Sequence, residues 1–212
     1  MSDPLPAKQT PEATRLLIGD FAFKFAEIRR ESEQAITQLD AVAIRRSLDG
    51  DVNSVAVIMK HVGGNLRSRF TSFLTEDGEK PWRDREAEFV DDFPAGEAGR
   101  DAALADWRDG WRVLESTLAS LCDVDLATDL ATDLATDLAT DLATKPVLIR
   151  GVPHTVSRAL ARSLAHMAYH QGQITLIARM IVGRERWNTI SIPRGATAQR
   201  HTEMGFDPNS RP

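Results

Sequence analysis

Apolar side chains recur three or four residues apart in four long stretches of the chain. Because an α-helix completes one turn in about 3.6 residues, this spacing places them on one face of a helix. The pattern predicts helices over about residues 11–39, 53–73, 100–121 and 155–182. Nowhere does the apolar–polar alternation of a half-buried strand persist. The chain is therefore predicted to be all-α, with four helices packed as a bundle.

Local signals mark the ends of these helices. Thr10 and Thr155 are suitable N-caps, as is Asn53 or Ser54 for the second helix, and Gly183 is a suitable stop for the last. Two adjacent glycines, residues 63–64, lie inside the second helix and weaken it. We interpret them as positions where a neighbouring helix or a ligand comes close.

A long loop is predicted between the second and third helices. Residues 75–97 are charged and interrupted by glycine and proline, and Trp82, Phe89 and Phe93 are expected to hold the loop on the body. Residues 147–151 are apolar but short, which we interpret as a tight connection and not a strand. Residues 1–10 are expected to be a flexible arm, residues 11–194 the helical domain, and residues 195–212 a tail.

The tetrad DLAT occurs five times in succession, over residues 125–144. Successive leucines would lie about 40° further round a helix, so they wind around it instead of lining one face. This is unsuited to a bundle seam or a coiled coil. We favour a helical extension of the third helix, with disorder as the alternative, and assign no chemistry to the repeat.

Composition narrows the function classes. The 212 residues carry a net charge of −5, so a nucleic-acid partner bound through its phosphates is not expected. No apolar run is long enough for a membrane helix, and the first residues lack the apolar core of a signal peptide. The single cysteine, Cys122, cannot form an intrachain disulfide, and its acidic neighbours favour a structural role. A cytoplasmic protein is the expectation.

Three histidines are placed where they could bind a metal ion together. His166 and His170 are four residues apart on the last helix, so they project from the same face, and His61 lies on the second helix. If these helices pack together, three imidazoles can surround one divalent cation and leave a position open, as in catalytic zinc sites. The alternative is that they are hydrogen-bonded core histidines.

Other catalytic patterns are absent. There is no HExxH, no pair of Glu-x-x-His motifs, no nucleophile elbow, no phosphate-binding loop and no Rossmann glycine pattern. Basic residues of the second helix and the long loop could form a cationic patch for an anionic substrate: Arg67, Arg69, Lys80, Arg83 and Arg85. Solvated charges balanced by the neighbouring acidic residues are an equally good interpretation.

Three segments resemble the DUF1572 family, a branch of the DinB-like superfamily. They are HVGGNLRSRF (residues 61–70), DGEKPW (residues 77–82) and LAHMAYHQGQI (residues 164–174). The resemblance covers about residues 12–194 apart from the repeat. It implies a four-helix bundle with up-down-down-up connectivity, often a homodimer, and a divalent ion such as Zn²⁺ or Ni²⁺ on His61, His166 and His170.

Characterised relatives in that superfamily include S-transferases and isomerases that use low-molecular-weight thiols, and others were proposed as hydrolases. The resemblance therefore implies a metal-dependent enzyme in which a thiol attacks a small electrophile, or one that hydrolyses a substrate with bound hydroxide. Asn65, Tyr169 and Gln173 are candidates for groups that support the ligands. The rival hypothesis is a non-catalytic, dimeric stress or interaction protein.

Overall fold

A computed structural model describes residues 11–128 and 145–207, with side chains over residues 12–122 and 145–207. The predicted arm over residues 1–10, four copies of the tetrad repeat (residues 129–144) and the last five residues lie outside the described residues. The helices are α1 (Pro11–Ile36), α2 (Val55–Phe70), α3 (Glu97–Thr128), α4 (Val156–Val182) and a short α5 (Thr197–Glu203). Two 3₁₀ turns, Ala43–Arg45 and Ala87–Phe89, precede α2 and α3.

The four long helices share one apolar core. α1 packs on α3 and α4, and α2 packs on the same two helices. The apolar faces that the periodicity predicts for α3 and α4 are turned into this core, where Trp107 and Trp111 are fully buried with ring centroids 5.5 Å apart. The protein is thus mostly helical, as predicted.

Helix ends follow the sequence signals closely but not everywhere. The side chains of Ser54 and Thr155 accept hydrogen bonds from the backbone amides three residues ahead, which confirms both as N-caps. α1 ends at Ile36 instead of about Leu39, because the amides of Gln38 and Leu39 bond three residues back and tighten the turn. α2 ends at Phe70, where Thr71 becomes extended, and α3 begins three residues earlier than expected.

A two-stranded antiparallel sheet corrects the all-α prediction. Strands β1 (Pro146–Ile149) and β2 (Val152–Thr155) form a hairpin in the segment interpreted from the sequence as a connection. Val147 and Ile149 are buried and alternate with exposed neighbours, but four residues are too few for this period to be recognised in a sequence. The turn residues Arg150 and Gly151 both have positive φ, +55° and +71°.

The long loop between α2 and α3 is tied to the hairpin. Asp77 accepts hydrogen bonds from the backbone amides of Arg150 and Gly151, at 2.8 and 2.6 Å, and the amide of Gly78 donates to Leu148 O. Phe93 packs against the core as expected, whereas Trp82 is exposed, contrary to prediction. The loop and the hairpin are thus joined by hydrogen bonds, and both contribute side chains to the site described below.

Two remaining features concern the ends of the domain. α3 includes the first copy of the tetrad repeat, residues 125–128. The segment expected to be a plain tail contains α5, which has no buried residue. None of the helices in the described part of the chain combines the length and the hydrophobicity that a membrane-spanning helix needs.

Candidate metal centre

The packing of α2 on α4 brings three histidines together. Each of His61, His166 and His170 offers a ring nitrogen within 4.8 Å of the other two. His166 Nε2 lies 3.4 Å from His61 Nε2 and 3.0 Å from His170 Nε2. His61 and His170 are buried, and His166 is half-buried. The three residues that the sequence selected therefore form one cluster.

The outward-facing nitrogens decide how the protons are arranged. His61 Nδ1 is 2.8 Å from a carboxylate oxygen of Glu88, and His170 Nδ1 is 2.8 Å from Gln173 Oε1. Both oxygens are acceptors, so both Nδ1 atoms carry the hydrogen. When the rings are neutral, the Nε2 atoms of His61 and His170 each carry a lone pair that points into the cluster.

Three converging nitrogens with so few hydrogens favour a cation between them. His166 Nε2 can donate to only one of its two neighbours, which leaves at least one lone pair facing the cluster without a donor. In a tetrahedral zinc site with bonds of about 2.0–2.1 Å, ligand nitrogens are roughly 3.3 Å apart. Two of the three separations, 3.0 and 3.4 Å, are close to this value, and the third is within 4.8 Å, so the donor set fits a divalent ion.

Glu88 supports the cluster, a role that the sequence did not indicate, since Glu88 is one of several acidic residues in the charged loop. The 3₁₀ turn Ala87–Phe89 places it against α2, and a Cβ at residue 64 would overlap its carboxylate. The second glycine of α2 thus makes room for Glu88. The first, Gly63, lies against the α3 backbone, so the expected close approach of a neighbouring helix is confirmed there, whereas Gly64 faces a side chain of the loop.

Arg83 keeps Glu88 ionised. Arg83 Nε donates to Oε1 of Glu88 and Arg83 Nη2 donates to Oε2, each at 2.8 Å. The side chains of Arg83 and Glu88 are both almost fully buried. Burial by itself raises the pKa of Glu88, but the hydrogen bonds from Arg83 and His61 outweigh it and hold the pKa below its usual range. A carboxylate that accepts from a ligating histidine is a common feature of zinc sites.

Phe89, on the same turn, stacks on the ring of His61 with centroids 4.6 Å apart. Phe89, predicted only to attach the loop, thus covers one side of the histidine cluster. Of the three predicted supporting groups, Gln173 contacts His170 directly. Asn65 is buried beside the cluster, and Tyr169 touches His170 by its ring edge but is 64% exposed.

The two histidines of α4 strongly resist protonation. Burial lowers the pKa of His166 to about 3, helped by His170, His61, Arg83 and Arg69. Burial also lowers the pKa of His170 to about 4, against the opposing effect of its bond to Gln173. Neutral imidazole is the form that binds metal ions, so the fold holds these side chains ready for a ligand role.

These shifts predict that the metal-free protein loses stability as the pH falls below about 6.5. The unfolded chain takes up a proton on each histidine near pH 6.5, whereas the folded chain does so only near pH 4 and 3. We expect the free energy of unfolding to drop by about 1–2 kcal/mol between pH 7.5 and 5.5. Urea titrations of chelator-treated protein measure this.

The matched control is the double variant His166→Gln, His170→Gln, which has no imidazole to protonate at these positions. Its stability should vary much less over the same pH interval. An equal pH dependence in the variant and the parent protein would contradict the assignment.

A cavity of about 360 Å³ opens beside the cluster, bordered by His61, His166, Asn65 and Ser163. Among the described residues, no fourth histidine, cysteine or carboxylate joins the group of potential ligands. An ion held by the three histidines would therefore have a free position, and a small molecule has space to reach it.

Comparison with known families gives one match. The model of the family described as "Protein of unknown function (DUF1572)" matches residues 13–196, which is most of the chain. No curated protein and no solved structure shows significant similarity to this sequence.

Proposed function

We propose that this protein, which belongs to the DUF1572 family, is an enzyme that depends on one divalent ion held by His61, His166 and His170. The observation that carries the proposal is the convergence of three Nε2 atoms, two of them fixed as lone pairs by the acceptors on Nδ1. A core polar cluster would be expected to pair each acceptor with a donor.

Zn²⁺ and Ni²⁺ are the ions we propose, because imidazole nitrogens suit both. The open side of the cluster supports a catalytic role over a structural one, since structural zinc sites are closed by a fourth protein ligand. When bound, such an ion supplies a Lewis acid that lowers the pKa of an adjacent thiol or water.

The reaction we propose is transfer of a low-molecular-weight thiol to a small electrophile. The thiol loses its proton to solvent, its sulfur forms a bond to an electrophilic carbon, and the leaving group departs with the electrons of the carbon–leaving-group bond. This chemistry is supported by the resemblance to DinB-like thiol-dependent transferases and by the free position beside the cavity.

The chain's own residues would position the ligands and shield them. Glu88 accepts a hydrogen bond from Nδ1 of His61, and Gln173 accepts one from Nδ1 of His170, so both rings keep their orientation. Phe89 covers one face of His61, which keeps water from that side. Arg83 stabilises the charge of Glu88 in a buried environment.

The test is an activity assay on metal-loaded protein with bacillithiol, mycothiol, glutathione or cysteine and 1-chloro-2,4-dinitrobenzene as the electrophile. Thioether formation is followed by absorbance and identified by mass spectrometry. We expect turnover that disappears on chelation and in His170→Ala, and that persists in His154→Ala, whose histidine lies on β2 outside the cluster.

Two results would overturn this reaction. Hydrolysis of esters or amides without any thiol transfer would identify a hydrolase that uses bound hydroxide. Absence of both activities in protein that carries one ion per chain would favour the non-catalytic interaction protein.

We also propose that the four long helices form a DinB-like bundle with up-down-down-up connectivity, and that the protein is a homodimer. The contacts of α1 and α2 with both α3 and α4 support the bundle. Tyr169, Leu176 and Met180 are exposed on one face of α4 and support an apolar interface.

A further inference from the structure

Arginines from four parts of the chain border the cavity beside the histidines. Arg69 comes from α2, Arg83 and Arg85 from the long loop, Arg150 from the hairpin turn and Arg162 from α4. The patch suggested by the sequence is thus partly correct. Arg67 pairs with Asp106 of α3 and Lys80 with Glu76, and neither borders the cavity.

The carboxylates near the cavity do not balance these five charges. Glu79 pairs with Arg69, Arg83 and Arg150, while Glu88 pairs with Arg83. The third acidic partner is Glu86, which pairs with Arg85 and is 85% exposed. Asp77, which lies beside Arg150 and interacts with the charge of Arg69, is a fourth carboxylate. Five guanidinium groups against four carboxylates leave an excess of one positive charge at the wall.

Arg150 is held over the cavity by an unusual backbone. It has φ +55° in the hairpin turn, a conformation that asparagine or glycine adopts more easily than arginine. Asp77 stabilises it by accepting the amide hydrogens of Arg150 and Gly151. The strained backbone of Arg150 lowers the stability of the fold. Because such strain is typical of functional sites, it favours a role for the Arg150 side chain, which is half-exposed at the cavity.

Arg162 is the least constrained of the five. It lies one helical turn before His166 on α4, so both side chains project from the same face. It is exposed, and none of the ion pairs within the described residues involves it. A guanidinium next to the proposed metal ligands thus has all its donors available for a bound molecule.

We infer that the cavity binds a small organic molecule through an oxyanion group, a carboxylate or a phosphate, held by Arg150 and Arg162. This deepens the proposed function and rests on it for the reaction, since the anionic end would be anchored at the arginines while the reacting end lies at the histidines. Planar guanidinium groups form paired hydrogen bonds with either oxyanion. The cavity volume of about 360 Å³ is in the range of small-molecule binding sites.

The test measures binding of inorganic phosphate and of malonate by calorimetry, at constant ionic strength, with malonamide as the uncharged control. Chelator-treated full-length protein is used, so that the anion cannot bind to a metal ion. We expect binding of at least one anion and none of malonamide. Arg150→Gln and Arg162→Gln should each weaken it about tenfold or more.

Arg158→Gln is the matched control, because Arg158 is an exposed arginine of α4 one turn before Arg162 and does not border the cavity. It should bind like the parent protein. Thermal unfolding of each variant verifies that it is folded. The inference is overturned if neither anion binds, or if both arginine variants bind as tightly as the parent.

The two proposals fail in different ways. Metal content that is normal while anion binding is absent would refute only the oxyanion site. Anion binding that depends on both arginines in a protein that takes up no metal would refute only the metal centre. The anion that binds with the higher affinity, malonate or phosphate, identifies whether the substrate carries a carboxylate or a phosphate.

Discussion

Protein purified without an affinity tag is expected to carry about one equivalent of a divalent metal, and alanine variants of His61, His166 and His170 almost none. Removing one of three ligands leaves two imidazoles, which hold an ion far more weakly than a complete set. The loss should be nearly complete for each variant. Elemental analysis of the purified proteins measures it directly.

The control for this experiment is His154→Ala, since His154 belongs to β2 and bonds the backbone of its own hairpin. This variant should keep the metal content of the parent protein. Far-ultraviolet circular dichroism verifies that the three ligand variants remain helical. If the parent protein stays metal-free after reconstitution with Zn²⁺ and Ni²⁺, the three histidines are polar residues of the core and not metal ligands.

Gly63→Ala and Gly110→Ala are expected to destabilise the protein by about 1–3 kcal/mol each. The two glycines face each other where α2 crosses α3, and a Cβ at residue 110 would lie 2.6 Å from Gly63 Cα. A Cβ at residue 63 would overlap the backbone of Asp106. Because backbone lies against backbone, no side chain can rotate away and the helices must move apart.

The matched control is Gly19→Ala, for which we expect a change in the free energy of unfolding of the opposite sign. Gly19 is also in a helix, α1, but a Cβ there would meet nothing within 4 Å. Gly19→Ala should therefore stabilise the protein by about 0.5–1 kcal/mol through helix propensity. Urea unfolding of the three variants compares them. Stabilisation at all three positions would show that the α2–α3 crossing tolerates a methyl group.

The helices were largely predictable because their signals are local. The three-to-four residue spacing of apolar side chains on α3 and α4, and the caps at Ser54 and Thr155, depend only on neighbours in the sequence. The hairpin was not predictable in the same way. Its strands have four residues each, and its turn is stabilised by Asp77, 73 residues before Arg150.

The candidate site shows the same division. The spacing of His166 and His170 by four residues puts both on one face of a helix wherever that helix packs. Glu88 could have been suspected only from Gly64, whose missing side chain makes room for it, and sequence periodicity carries no sign of that contact. Along the sequence, Arg150 and Arg162 are far from Arg69, Arg83 and Arg85, although all five border one cavity.

Local patterns in the chain were enough to predict four amphipathic helices, a histidine pair on one of them and a third histidine on another. These follow from helical periodicity, which acts within a few residues. The packing of the whole chain brings His61 to His166 across 105 residues, places Glu88 where it orients His61, and puts Arg150 and Arg162 at one cavity. Such contacts depend on how whole helices and loops pack to bury a shared core, and short-range patterns do not encode that arrangement.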